Sequence, residues 1–200
     1  MASLLDVGRH GPPFWPFIAA RVAETIAETS NRGAVVVAMH SNAGLFAPHI
    51  ATTSPKPVDA LIFVDASIPP DEGEADVVPP EFLAELRAKA QDGLVPRWTD
   101  WWTEEDVAPL FPDPATRRRV IDEQPRLPLT YYEQRIPIEP GWTSTPCGYL
   151  LFGPPYDEFA EQARVRGWPV VEASGQHLHM VVDPEGVGRA LLELAESLHA

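Results

Sequence analysis

Short apolar runs alternate along this chain with segments of helical spacing, and that alternation confines it to an α/β architecture built on a parallel sheet. Residues 35–38 (VVVA) form a β-branched run long enough only for a buried strand, and residues 60–64 (ALIFV), 148–152 (GYLLF) and 169–171 (PVV) repeat the pattern. Leu4 and Leu5 open a fifth strand at the N-terminus. Between strands, residues 17–29 place Ile18, Val22 and Ile26 at the spacing of a helix face. Asp183-Pro184 supplies an N-cap acceptor and a first-turn proline, and the helix that follows carries Val187, Leu191, Leu194 and Leu198 on one side.

Residues 68–146 break this rhythm. They contain no convincing strand, many prolines and several short helical segments: residues 80–90, a Thr103/Asp106 capping box, and a helix opened by Asp113-Pro114 that stops before Pro125. Trp98, Trp101, Trp102, Phe111, Tyr131 and Tyr132 gather here. A helical insertion rich in aromatics between two strands of a parallel sheet predicts a cap over a pocket. The expected division is a core of residues 1–67 and 147–200 with a cap of residues 68–146.

The chain has 200 residues and a formal charge of −14, so it suits one core-forming domain and repels nucleic acid and anionic membrane alike. Cys147 is its single cysteine, which excludes an intramolecular disulfide and any CxxC metal site. No apolar run approaches the roughly 18 residues of a membrane span, and the first ten residues lack a signal-peptide pattern, so a cytoplasmic location is expected. There is neither a G-x-G-x-x-G nor a phosphate-binding G-x-x-x-x-G-K-[ST], so no cofactor is implied.

The most informative stretch runs from Val35 to Gly44 (VVVAMHSNAG). A buried strand enters a sharp turn at His40-Ser41-Asn42 and then a helix near Ala43, the layout of a nucleophile elbow that lifts a serine hydroxyl above the sheet edge. Such a turn wants small residues two before and two after the serine. Ala43 complies; Met39, where the usual motif has glycine, does not. The backbone N–H of Asn42 would face a developing oxyanion, aided by the positive end of the helix. Gly175-Gln-His177 lies in the loop after the last strand, where a general base for such a serine belongs. His179 is the rival. Two histidines at i and i+2 can suit a metal, but no third ligand cluster accompanies them.

With these pieces the chain resembles the α/β-hydrolase family. His-Ser-Asn-Ala-Gly resembles its elbow, Gly175-Gln-His177 with Pro184 beyond resembles its histidine loop, and residues 6–11 (DVGRHG) resemble the loop leading into the helix before the elbow. The resemblance implies an acid that orients the histidine, at one of two places. Asp157 follows the penultimate strand, but a helix begins there and an N-cap role explains it; Asp65 closes the strand after the elbow. Asp65 is favoured over Asp157. The family also has strands before the one at Leu4 and Leu5, so this chain is either naturally short or starts downstream of its true beginning. If short, residues 7–11 form the oxyanion loop, with Gly8, Arg9, His10 or Gly11 as donor.

The resemblance therefore implies a serine hydrolase in which Ser41 attacks, His177 moves the proton and Asp65 orients the imidazole. The expected substrate is a small, largely apolar ester, thioester or amide. A lyase or cyclase step on a biosynthetic intermediate, and a non-catalytic binding protein, are the alternatives. A sheet that begins late leaves an open edge near Phe14, Trp15 and Phe17, which predicts a homodimer along the N-terminal side.

Overall fold

The computed structural model describes residues 6–29 and 33–198, so the strand expected at Leu4 and Leu5 lies outside the described residues. In chain order the described strands are β1 (Val36–Ser41), β2 (Ala60–Ala66), β3 (Gly73–Asp76), β4 (Arg135–Ile138), β5 (Cys147–Leu151) and β6 (Val170–Glu172). β1, β2, β5 and β6 make a four-stranded sheet in that order, and every pair is parallel. β2 and β5 are buried at every position, as strands covered on both faces must be.

Side-chain alternation sorts the core into two layers. Leu61 and Phe63 of β2, Met39 of β1 and Tyr149 of β5 face one side, where α1 (Trp15–Glu28), α2 (Ala47–Thr53) and α7 (Asp157–Val165) cover them. Ile62, Val64 and Leu150 face the other side and meet Val187, Ala190 and Leu194 of α9 (Pro184–Ser197). Asp183 caps α9, accepting a hydrogen bond from the Gly186 N–H at 2.9 Å.

The insertion between β2 and β5 carries α3 (Pro80–Lys89), α4 (Glu104–Val107), α5 (Pro114–Glu123) and α6 (Leu129–Glu133). Thr103 and Asp106 form the expected capping box, and Asp113 caps α5. One expectation is corrected: the insertion does contain strands. β3 and β4 pair antiparallel, Gly73 opposite Ile138 and Asp76 opposite Arg135. Neither Gly-Glu-Ala-Asp nor Arg-Ile-Pro-Ile has strand-like alternation of useful length. They pair because the insertion leaves β2 and returns to β5 at neighbouring places, with Arg135 bridging Glu74 and Asp76 across the ladder. Leu86, Val95, Tyr131, Tyr132 and Ile136 of the insertion bury into the same cluster as the sheet.

The aromatics ahead of β1 are engaged within the chain. Phe14 is 1% exposed, and its N–H donates to Gln134 Oε1 at 2.9 Å. Trp15 stacks on His49 and Phe17 on His10, with ring centroids 4.1 and 3.6 Å apart. Along the outer edge of β1 runs a groove of about 760 Å³, lined by Ile18, Val22, Ile26, Val37 and Ile50 among others. No helix among the described residues is long and apolar enough to cross a membrane.

Candidate active site

Ser41 ends β1 at φ 59° and ψ −132°, a backbone conformation that side-chain-bearing residues rarely adopt and that persists only where the surroundings impose it. A 3₁₀ turn (Asn42–Phe46) follows, then α2. The tight approach falls at Gly44: a Cβ there would lie 2.2 Å from the Ser67 carbonyl oxygen and 3.1 Å from the Phe63 ring. Met39, 2% exposed, packs in the core beneath the turn. The requirement for a small residue at that position is therefore corrected, because the crowding lies three residues after the serine rather than two before it.

Asp65 is the penultimate residue of β2 and is fully buried. His40 pairs with Val64 while Ser41 pairs with Ala66, so Asp65 is the extra residue of a bulge and sits at φ 43°. Its Oδ1 accepts from the Phe152 N–H at 2.7 Å and its Oδ2 lies 3.1 Å from His177 Nδ1. The bulge disturbs the ladder at Ala66, and the buried Tyr149 hydroxyl satisfies both backbone groups there, accepting from the N–H and donating to the carbonyl at 3.0 Å each.

His177 stands in the loop after β6 with a side chain 14% exposed. A carboxylate only accepts, so Nδ1 carries the proton and Nε2 is left with a lone pair. That nitrogen is 3.1 Å from Ser41 Oγ. Ser41, His177 and Asp65 thus form one continuous hydrogen-bonded chain at the C-terminal ends of β1 and β2. Asp157 stands apart. It is the exposed first residue of α7, and the N-cap position belongs to Tyr156. His179 opens the short helix α8 (His179–Val182) and packs its ring edge against Phe152.

Three participants were not singled out from the sequence. Tyr149 is one. Tyr156 is the second: its ring lies parallel to the His177 imidazole, 4.8 Å between centroids and 6° between planes, and its hydroxyl is 3.2 Å from Ser41 Oγ. Burial raises its pKa, so it is a neutral O–H at working pH. The tyrosine sits in Gly153-Pro-Pro-Tyr-Asp157, a loop whose proline stiffening was the available signal. The third is His40, whose ring is 4.3 Å from His177 and whose Nε2–H donates to the His177 carbonyl at 2.8 Å. Its place beside the serine was the clue.

Burial, with the neighbouring His177 adding to it, lowers the pKa of His40 to about 4. The folded protein therefore keeps His40 neutral across a range in which the unfolded chain, titrating near 6.5, takes up a proton. Stability from this group is full above the unfolded value and falls as pH drops toward the folded one. Unfolding free energies from urea titrations at pH 7 and pH 5 are expected to differ by at most about 2 kcal/mol from His40 alone. His40→Gln should remove that share of the difference. An unchanged difference in the variant would show that other groups carry it.

Backbone hydrogen bonds narrow the candidates for the expected oxyanion donors. Asn42 N–H opens the 3₁₀ turn and has no acceptor within it. In the N-terminal loop, Arg9 N–H already donates to the Asp6 carbonyl at 2.9 Å and His10 N–H to the Val7 carbonyl at 3.0 Å. Of the four candidates there, Gly8 and Gly11 remain, and Gly8 packs beside Pro128 and Arg126.

The parallel sheet, the strained serine turn and the histidine loop after the last strand together give the α/β-hydrolase fold, which the solved structures bear out. The chain is similar to an extracellular α/β-hydrolase from a Paenibacillus species, at TM-score 0.68 and 18% identity over 90% of this chain and 79% of that one. It is also similar to the pyrethroid hydrolase PytH, at 0.63 and 17% over 96% and 84%. A third is tomato methylketone synthase I complexed with 2-tridecanone, at 0.64 and 13% over 94% and 83%. No protein-family model and no curated protein matches the chain.

Proposed function

We propose that this protein is a serine hydrolase that cleaves a small, largely apolar ester, thioester or amide. The observation that carries the reading is the chain of hydrogen bonds from Ser41 through His177 to Asp65 at a strained strand-to-helix turn. Ser41 Oγ attacks the carbonyl carbon, its proton passes to His177 Nε2, and the carbonyl electron pair moves onto oxygen. The tetrahedral species collapses, the leaving group departs with the proton from His177, and an acyl-Ser41 ester remains. Water then attacks that ester by the same route, releasing a carboxylic acid and restoring Ser41. No cofactor enters any step.

The aromatic side chains beside His177 support the substrate class. Trp98 lies 6.0 Å from the His177 ring and 6.4 Å from Trp102, and Phe82 stacks on Trp102 at 5.7 Å. This aromatic group belongs to the insertion, which we read as a cap of residues 68–146 that holds the apolar part of the substrate. Two of the similar proteins are hydrolases, which supports the general reading, and the methylketone synthase makes direct measurement of hydrolysis the deciding experiment.

A fluorophosphonate reporter should label the wild-type protein at one site and leave Ser41→Ala unlabelled, with the variant's melting unchanged because only a hydroxyl is lost. Wild type should also release p-nitrophenol from a short-chain p-nitrophenyl ester. Equal labelling of both proteins, or none of either, would remove Ser41 as nucleophile.

A further inference from the structure

We propose that the Tyr156 hydroxyl is a catalytic donor of this site, moving from Ser41 Oγ to the oxyanion as the tetrahedral intermediate forms. The inference rests on the serine-hydrolase reading and adds a residue to it. Its first support is distance. Ser41 Oγ has two side-chain partners, His177 Nε2 at 3.1 Å and Tyr156 Oη at 3.2 Å. The serine has one proton, and it must go to the Nε2 lone pair for attack to occur, so the bond to tyrosine is one in which the phenol donates and Oγ accepts.

That bond changes partner during the reaction. In the resting site Oγ is a hydroxyl oxygen with a lone pair for the phenol. Once it has bonded to the substrate carbon, Oγ becomes an ether-type oxygen and a poorer acceptor, while the former carbonyl oxygen on the same carbon carries a full negative charge. Rotation about the phenol C–O bond lets its hydrogen follow the charge, because both oxygens are held by the same carbon. Burial holds the phenol protonated, so it gives a hydrogen bond and no proton is lost from it.

The second support is the state of the other donors. Asn42 N–H opens the turn beside Ser41, but a single donor leaves an oxyanion under-stabilised, and in the N-terminal loop Arg9 and His10 have their N–H groups engaged, which leaves only Gly8 and Gly11 there. Tyr156 is held against the nucleophile, its hydroxyl 3.2 Å from Ser41 Oγ. Its own N–H donates to the Gly153 carbonyl at 3.1 Å, α7 begins at the next residue, and its ring is stacked on His177. The stack also places a π face against the imidazole as it becomes cationic, an arrangement favourable to a charge that grows with the oxyanion's.

Tyr156→Phe tests this, because it keeps the ring and its stacking and removes one oxygen. We expect kcat on a p-nitrophenyl ester to fall by about 10²–10³, the usual consequence of losing one oxyanion donor, while KM stays within about threefold. Affinity for phenylboronic acid, which forms a tetrahedral adduct on the serine, should fall by a comparable factor, a readout that mere loosening of the loop would not move. The melting temperature should stay within about 2 °C of wild type. A variant with kcat within about threefold of wild type, or with boronate affinity unchanged, overturns the role of Tyr156 while the serine reading stands. Absence of fluorophosphonate labelling in the wild type overturns both.

Discussion

Asp65→Asn is expected to lower turnover by about 10⁴-fold, or about 5.5 kcal/mol of transition-state stabilisation. The buried carboxylate accepts twice, from the Phe152 N–H and from His177 Nδ1–H. An asparagine keeps one oxygen, which the Phe152 N–H claims, and turns an NH₂ toward the imidazole. A donor facing Nδ1 selects the tautomer with its proton on Nε2, and that nitrogen then has no lone pair for Ser41. Geometry survives and chemistry does not. Asp157→Asn should keep turnover within about twofold, since Asp157 is exposed in the first turn of α7 and the change removes only one surface charge near a helix N-terminus. Steady-state kinetics on both variants decide the matter, and the reverse ranking would transfer the acid's role to Asp157.

Gly44→Ala should be the most damaging of the small substitutions to stability. The new methyl would meet the Ser67 carbonyl oxygen at 2.2 Å, with Phe63 and Ala66 closing in at 3.1 and 3.2 Å. A backbone oxygen cannot turn aside as a flexible side chain can, and Ser67 is itself tied to the elbow, its N–H donating to the Ser41 carbonyl at 3.2 Å. Relief requires the 3₁₀ turn to back away from β2, which strains the hydrogen bond from Ser41 to His177. A loss of about 3 kcal/mol is expected, roughly 6–12 °C in Tm for a chain of this length, together with most of the activity. Gly188→Ala is the control of opposite sign. It sits inside α9 with nothing within 4 Å of the new methyl, so it should stabilise by about 0.5–1 kcal/mol. Chemical denaturation of both variants checks the pair; a Gly44→Ala protein as stable as wild type would mean that the elbow is looser than its contacts imply.

Local signals account for much of the site. The strand-to-helix switch around Ser41 and the acid closing β2 are readable because each is written into a few consecutive residues. The histidine loop is readable for the same reason, following an apolar run and preceding an N-capped helix. The β3–β4 pairing was not readable, because its register is made by segments about sixty residues apart with too little alternation in either. The two candidate acids illustrate the limit. Both Asp65 and Asp157 close or follow a strand, and local pattern ranks them only weakly. The bulge that turns Asp65 toward His177 arises from the way β1 and β2 fit together.

What the chain's own order determines, then, is the class of its elements: buried parallel strands, the helices between them, the turn that exposes a serine, and an insertion rich in aromatics. These are properties of hydrophobic period, caps and breakers, which act over a few residues. Tertiary structure alone decided which side chains meet. It set Tyr156 against His177 and Ser41, placed the Tyr149 hydroxyl at the bulge, and turned His40 to hold the histidine loop. It also gave Phe14, Trp15 and Phe17 their partners within the chain, Gln134, His49 and His10. The physical reason is the same throughout. Hydrogen bonds and ring contacts act over a few ångströms in space, and the distances that matter at this site join residues separated by 112 to 137 positions along the chain.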